Sequence, residues 1–169
     1  MAKVTKNAFG KNISDSSDLV YGTNSADYID AKGGADLIYA KAGDDYVIGG
    51  AGQDRINGGW GHDTFFFGRG HDADKIEDFG RDIPGGNNDL IAVDPSIDTY
   101  FVFAESTGIR IVTVDDGVKQ GSITLLGVDA NEWAAMGGNT EYGVAHAAID
   151  VMGRNGTLLI DFDAGMLIA

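Results

Sequence analysis

The sequence predicts an all-β protein: a parallel β-roll, meaning a two-sheet solenoid, followed by a β-rich C-terminal extension. Three observations lead there. Aspartates 27, 36, 45, 54 and 63 recur every nine residues, and each is followed two residues later by an apolar residue: Ile29, Ile38, Val47, Ile56, Phe65. Glycine supplies 26 of the 169 residues, about double the usual ~7%. The acids are 22 Asp against 4 Glu, whereas an acidic helical surface would favour Glu, the better helix former.

Residues 1–12 are an N-terminal lead-in. The opening MAKVTKNAFGKNISDSSD has lysines but no apolar core of 7–15 residues, so it is not a secretory signal peptide. If the protein is exported, a different signal serves. The repeat occupies 13–75. Cut every nine residues from Gly22, the chain reads GTNSADYID, AKGGADLIY, AKAGDDYVI, GGAGQDRIN and GGWGHDTFF. Position six is always Asp, position eight always apolar, and position four is Ser25 and then Gly34, Gly43, Gly52 and Gly61. The register fades into ISDSSDLVY (13–21) and FGRGHDADK (67–75), as terminal units of a solenoid do.

Within each unit the first six residues are small, glycine-rich and acidic, so they make a turn, with glycine admitting φ > 0. The last three are β-prone and form a short strand with one side chain inward. Two units make an 18-residue coil, and successive coils stack about one strand spacing apart, ~4.8 Å. Asp27 then lies next to Asp45, Asp45 next to Asp63, and Asp36 next to Asp54. Stacked carboxylates repel, and a cation between turns reverses the sign. Two carboxylates and the backbone carbonyls of two turns supply about six hard oxygens, which suits Ca2+ with its roughly 6–8 ligands better than the tight octahedron of Mg2+.

The pattern resembles G-G-x-G-x-D-x-U-x, the calcium-binding nonapeptide of the RTX (repeats-in-toxin) β-roll. The resemblance implies side-chain ligands at Asp27, Asp36, Asp45, Asp54 and Asp63, and backbone carbonyls around Gly34, Gly43, Gly50, Gly52, Gly59 and Gly61. It places Asp72 next to Asp54, closing a further site, and implies about three to five calcium ions in all. Ala31-Lys32 and Ala40-Lys41 depart from the Gly-Gly pair, and Ser25 departs from the third glycine. The resemblance further implies a secreted protein, extracellular or at the cell surface, exported by type I secretion machinery.

The β-rich region 76–169 follows. DKIEDFGRDIPGGNNDLIAVD (74–94) resembles the segment after the roll in many RTX proteins, with Asp78 and Asp89 as candidates for one more ion or as turn residues. Runs 99–105, 108–116 and 121–129 predict antiparallel strands continuing the sheets. NEWAAM (131–136) and EYGVAHAAIDVM (141–152) are helix-like. The apolar end TLLIDFDAGMLIA resembles an uncleaved C-terminal secretion signal, or reads as a last strand.

The formal net charge of −14 argues against nucleic acid. No cysteine is present, so disulfides and thiolate sites are excluded. No apolar run approaches the ~18 residues of a membrane span. There is no G-x-S-x-G and no H-E-x-x-H, and no catalytic constellation is found. His62 and His71 fall at the variable fifth position and read as exposed turn residues. Tyr28 and Tyr46 form an outward row that could hold a polysaccharide; cross-strand aromatic packing is the plainer reading.

Overall fold

The computed structural model describes residues 1–5, 8–80, 89–97, 99–129 and 131. The helix-like segment 141–152, the C-terminal stretch and nearly all of 131–136 lie outside the described residues.

Short strands follow the nine-residue rhythm: β1 (Ala2–Val4), β2 (Leu19–Tyr21), β3 (Asp27–Asp30), β4 (Leu37–Tyr39), β5 (Tyr46–Ile48), β6 (Arg55–Asn57), β7 (Thr64–Phe67), β8 (Asp72–Ile76) and β9 (Leu90–Val93). They sort alternately into two sheets. One runs β1-β3-β5-β7-β9; the other carries β2, β4, β6 and β8 as neighbours. All these pairings are parallel, with position eight beside position eight: Ile29 beside Val47, Val47 beside Phe65, Ile38 beside Ile56. This is the β-roll with its 18-residue coil. The lead-in is built into it, because Ala2 pairs with Asp27 and Val4 with Ile29.

The interior is one side chain thick on each sheet. Val20, Ile29, Ile38, Val47, Ile56, Phe65 and Ile76 are all fully buried. Each contributes about 1.5–3 kcal/mol by leaving water, but a strand of three residues offers only one such side chain.

Beyond the roll come longer strands: β10 (Thr99–Glu105), β11 (Gly108–Asp115) and β12 (Val118–Leu126). They pair antiparallel, and β12 then adds to β8 in parallel, so this extension continues the second sheet. Ile109, Ile111, Ile123 and Leu125 point into the same core as the roll. Strands form at the predicted 99–105 and 108–116, whereas the third runs 118–126 rather than 121–129, because the Asp116-Gly117 turn is tight enough for pairing to resume at Val118. Among the described residues no helix is long and apolar enough to cross a membrane.

Candidate metal centre

Side chains alternate along a strand, so a residue two before the inward position eight also points inward. Position six therefore carries its carboxylate into the corner of the coil. Asp27, Asp36, Asp45, Asp54 and Asp63 are all no more than 2% exposed. Burying a carboxylate is costly unless its oxygens find partners.

One oxygen ties neighbouring coils together. The Asp27 N–H donates to Asp45 Oδ1 at 2.7 Å, and the Asp45 N–H to Asp63 Oδ1 at 2.9 Å. On the other sheet the Asp18 N–H donates to Asp36 Oδ1 at 2.7 Å, and the Asp36 N–H to Asp54 Oδ1 at 2.9 Å. The two rows stay separate, one at the edge of each sheet.

The other oxygen stands differently in the glycine turns. Oδ2 of Asp36, Asp45 and Asp54 is buried without a hydrogen-bond partner. Asp63 sits in the same pose: a Cβ on Gly58 would lie 2.3 Å from its Oδ2, and one on Gly49 would lie 2.4 Å from Asp54 Oδ2. Asp27 differs, because its Oδ2 accepts the Thr23 N–H at 2.5 Å and the atom lacking a partner is Oδ1.

The turn backbone is shaped to match. Position four is in the left-handed half of φ space at Gly34 (114°), Gly43 (116°), Gly52 (124°) and Gly61 (140°), a region that suits only glycine. Position two also has positive φ, at Lys32 (80°), Lys41 (86°), Gly50 (105°) and Gly59 (91°). Carbonyls of one turn press on the next turn of the same row. A Cβ on Gly52 would fall 1.9 Å from the Gly34 carbonyl oxygen, one on Gly61 would fall 2.1 Å from that of Gly43, and one on Gly59 would fall 1.9 Å from that of Lys41.

Electrostatics point the same way. Burial pushes the Asp45 and Asp54 carboxyls up to about 7 and that of Asp36 up to about 6. The backbone N–H bond on each opposes this, and the stacked aspartate next in the row adds to it. These are carboxylates short of positive charge.

Among the described residues no three acidic or histidine side chains converge on one point. A cation here must therefore draw on main-chain oxygens as well as carboxylates. Partnerless buried carboxylate oxygens beside turns that only glycine can fill form an all-oxygen donor set, which fits calcium.

Two sequence-based expectations change. Asp72 does not extend the row. It is exposed with φ 61°, and the Asp54 N–H donates instead to Asp74 Oδ1 at 3.0 Å. The spacing from Asp54 is 20 residues rather than 18, because β7 runs on to the buried Phe67 and β8 starts two residues before Asp74. The D-x-U triplet Asp74-Lys75-Ile76 marks the true position, and the nine-residue count does not. Likewise Asp89-Leu90-Ile91 continues the other row, with the Asp63 N–H on Asp89 Oδ1 at 3.0 Å. Asp78 binds the Gly58 and Gly59 amides at 3.0 and 2.8 Å.

His71 is the second change. It is 2% exposed, not a solvated turn residue. Its Nδ1 lies 2.8 Å from Asp74 Oδ2 and its Nε2 lies 2.8 Å from Thr113 Oγ1. The pairing of β8 with β12, Asp72 beside Gly121, brings it under β12, out of water. His62 is exposed, in line with its turn position.

Residues 14–47 and 39–73 match the family model of the RTX calcium-binding nonapeptide repeat (4 copies). No curated protein matches the chain. Among solved structures the chain is similar to the solution structure of the AlgE6R3 subunit from the Azotobacter vinelandii mannuronan C5-epimerase. That likeness is at 24% identity and a TM-score of 0.49, over 76% of this chain and 82% of that one. The segment from 14 to 73 is an RTX calcium-binding nonapeptide-repeat region, and it is folded as a β-roll.

Proposed function

We propose that this chain is an extracellular calcium-dependent folding module whose ions sit between turns of the same row. Asp36, Asp45, Asp54 and Asp63 supply the side-chain oxygens, and the turns around Gly34, Gly43, Gly50, Gly52, Gly59 and Gly61 supply carbonyls. Asp27, at the end of its row, keeps its Oδ2 on the Thr23 N–H and holds Asp45 in place by donating its own N–H to Asp45 Oδ1. The observation that carries this reading is the buried, partnerless Oδ2 of Asp36, Asp45 and Asp54. Bound calcium supplies the positive charge that lets these carboxylates ionise while buried.

Coupled folding follows from the balance of terms. Each coil buries few apolar side chains, and each ionised aspartate opposes closure. At low cytosolic calcium the open chain is favoured, which suits export through type I secretion machinery. Near-millimolar extracellular calcium matches the ~10⁻⁴–10⁻³ M affinities of extracellular modules. Each occupied site then adds RT ln(1 + [L]/Kd), on the order of a kcal/mol. The reading assigns no catalytic step to this chain. Circular dichroism with and without EGTA tests it: calcium should restore β signal, and identical spectra and melting curves in chelator would remove the coupling.

A second reading has its own observation. The rings of Tyr28 and Tyr46 stack at 5.6 Å and 3°, and Phe66 continues the column 6.3 Å from Tyr46. Lys3 Nζ lies 5.9 Å over Tyr28. A flat aromatic column with a cation at one end suits a polysaccharide chain. A glycan array probed with wild type and Tyr28→Ala/Tyr46→Ala decides this; equal binding by both discards the column.

A further inference from the structure

The two aspartate rows end alike. The row on the second sheet runs Asp18, Asp36, Asp54, Asp74, and the row on the first runs Asp27, Asp45, Asp63, Asp89. At each of the four ends the Oδ2 atom has a donor from its own chain. Asp18 takes the Ser14 N–H at 2.9 Å, and Asp27 the Thr23 N–H at 2.5 Å. Asp74 takes His71 Nδ1 at 2.8 Å, and Asp89 the Gly80 N–H at 2.7 Å.

We propose that these four end turns are metal-free caps, in which Ser14, Thr23, His71 and the Gly80 amide stand where an ion would, and that calcium is confined to the glycine turns 31–36, 40–45, 49–54 and 58–63. The proposal rests on the calcium reading above and specifies where that reading applies.

The N-terminal caps owe their shape to two positions. Ser14 and Thr23 hold position two, and Ser16 and Ser25 stand next but one. The Ser16 N–H donates to Ser14 Oγ at 3.3 Å and the Ser25 N–H to Thr23 Oγ1 at 3.2 Å. This hydroxyl turn folds the chain back on itself and leaves the position-two amide on the carboxylate. In the glycine turns positions two and four both have positive φ. That flips the local peptides, and no position-two hydroxyl is present to hold the closed form.

The His71 cap uses a side chain instead. A carboxylate only accepts, so the ring donates from Nδ1 to Asp74, leaving Nε2 for the Thr113 hydroxyl. The ring is wedged 5.2 Å from that of Phe67. On its other side is Gly121, where a Cβ would lie 2.5 Å from His71 Cε1. An oxygen that already holds a donor has a hydrogen where a cation would sit. The arrangement also has a physical reason. A site between turns needs a glycine turn on the row, and an end turn has a neighbour on one side only. An internal donor takes the Oδ2 of that last carboxylate without a half-built site; Asp27, whose Oδ1 stays buried without a partner, is the least complete of the four.

Calcium calorimetry on the metal-stripped full chain tests this. Wild type should bind no more than about four ions, one per glycine turn. Thr23→Gly/Ser25→Gly should open the first cap and add about one ion, and Lys32→Thr/Gly34→Ser should close a glycine turn and remove about one. A wild-type count above about four overturns the proposal without any variant. So does an unchanged count in whichever variants fold. Wild type that binds no calcium would overturn the calcium reading itself, which is a separate outcome.

Discussion

The roll and the extension that follows it share one core but are held together differently. The roll's β3 to β6 are three or four residues long, and each places one apolar side chain inward beside one buried carboxylate. The extension's β11 and β12 have eight and nine residues and bury Ile109, Ile111, Ile123 and Leu125. Its turns are ordinary: Asp116 and Gly117, both at positive φ, make a two-residue hairpin between β11 and β12. One half therefore gains most from apolar burial. The other is incomplete until its carboxylates are neutralised.

The largest expected effect of that difference is regional. Removing calcium should abolish hydrogen-exchange protection across 27–66 while 108–126 keeps part of its protection, read by mass spectrometry of peptides from both regions. Equal loss in both would mean that the two halves form one cooperative unit. The parallel pairing of Gly121 to Leu125 with Asp72 to Ile76 is the seam where the difference should fade.

Glycine substitution sharpens the comparison. Gly52 sits at φ 124° with the Gly34 carbonyl oxygen in the place of a Cβ, whereas Gly117 sits at φ 74° with open space around it. Gly52→Ala should cost about 3 kcal/mol or more, combining backbone strain with a main-chain clash. Gly117→Ala should cost about 1 kcal/mol, from strain alone. Chemical denaturation in saturating calcium measures both, and similar costs would mean that the roll's turns can widen.

Much of this was legible in the sequence because both periods, nine and eighteen, are set by residues with a single physical use. Aspartate with an apolar residue two places on fixed strand, face and row for Asp27 through Asp63. Three things were not legible. Two residues added across β7 and the start of β8 moved the rung from Asp72 to Asp74, and a nine-residue count cannot see an insertion that only the D-x-U triplet marks. His71 read as solvated because its burial depends on Thr113 and Gly121, some 40 to 50 residues away. The end donors depend on turn conformation: Thr23 and Lys32 hold the same repeat position, but only Lys32 adopts positive φ.

Within the roll, the rows rank their members. Asp45 lies between Asp27 and Asp63 and has a partnerless oxygen, whereas Asp27 is at the row's end with Thr23 on its Oδ2. Asp45→Ala should weaken calcium binding by about tenfold or more, the equivalent of ~1.4 kcal/mol, and Asp27→Ala by less. Equal losses by calorimetry would contradict the eighteen-residue row.

The smallest effect is that of pH on the metal-free chain. Burial raises Asp45 and Asp54 to about 7 and Asp36 to about 6 in the folded roll, against about 3.9 when unfolded. Between those values the folded state holds more protons, so its stability falls as pH rises, from about 4 through about 7. Metal-stripped protein should accordingly recover part of its β signal on acidification from pH 8 to pH 5. With saturating calcium the sign reverses, because protons then compete with the ion for the same oxygens. Circular dichroism across that range, with and without calcium, checks both signs. A metal-free roll that gains β structure as pH rises would mean that its carboxylates already have their counter-charge, and that calcium is not what they lack.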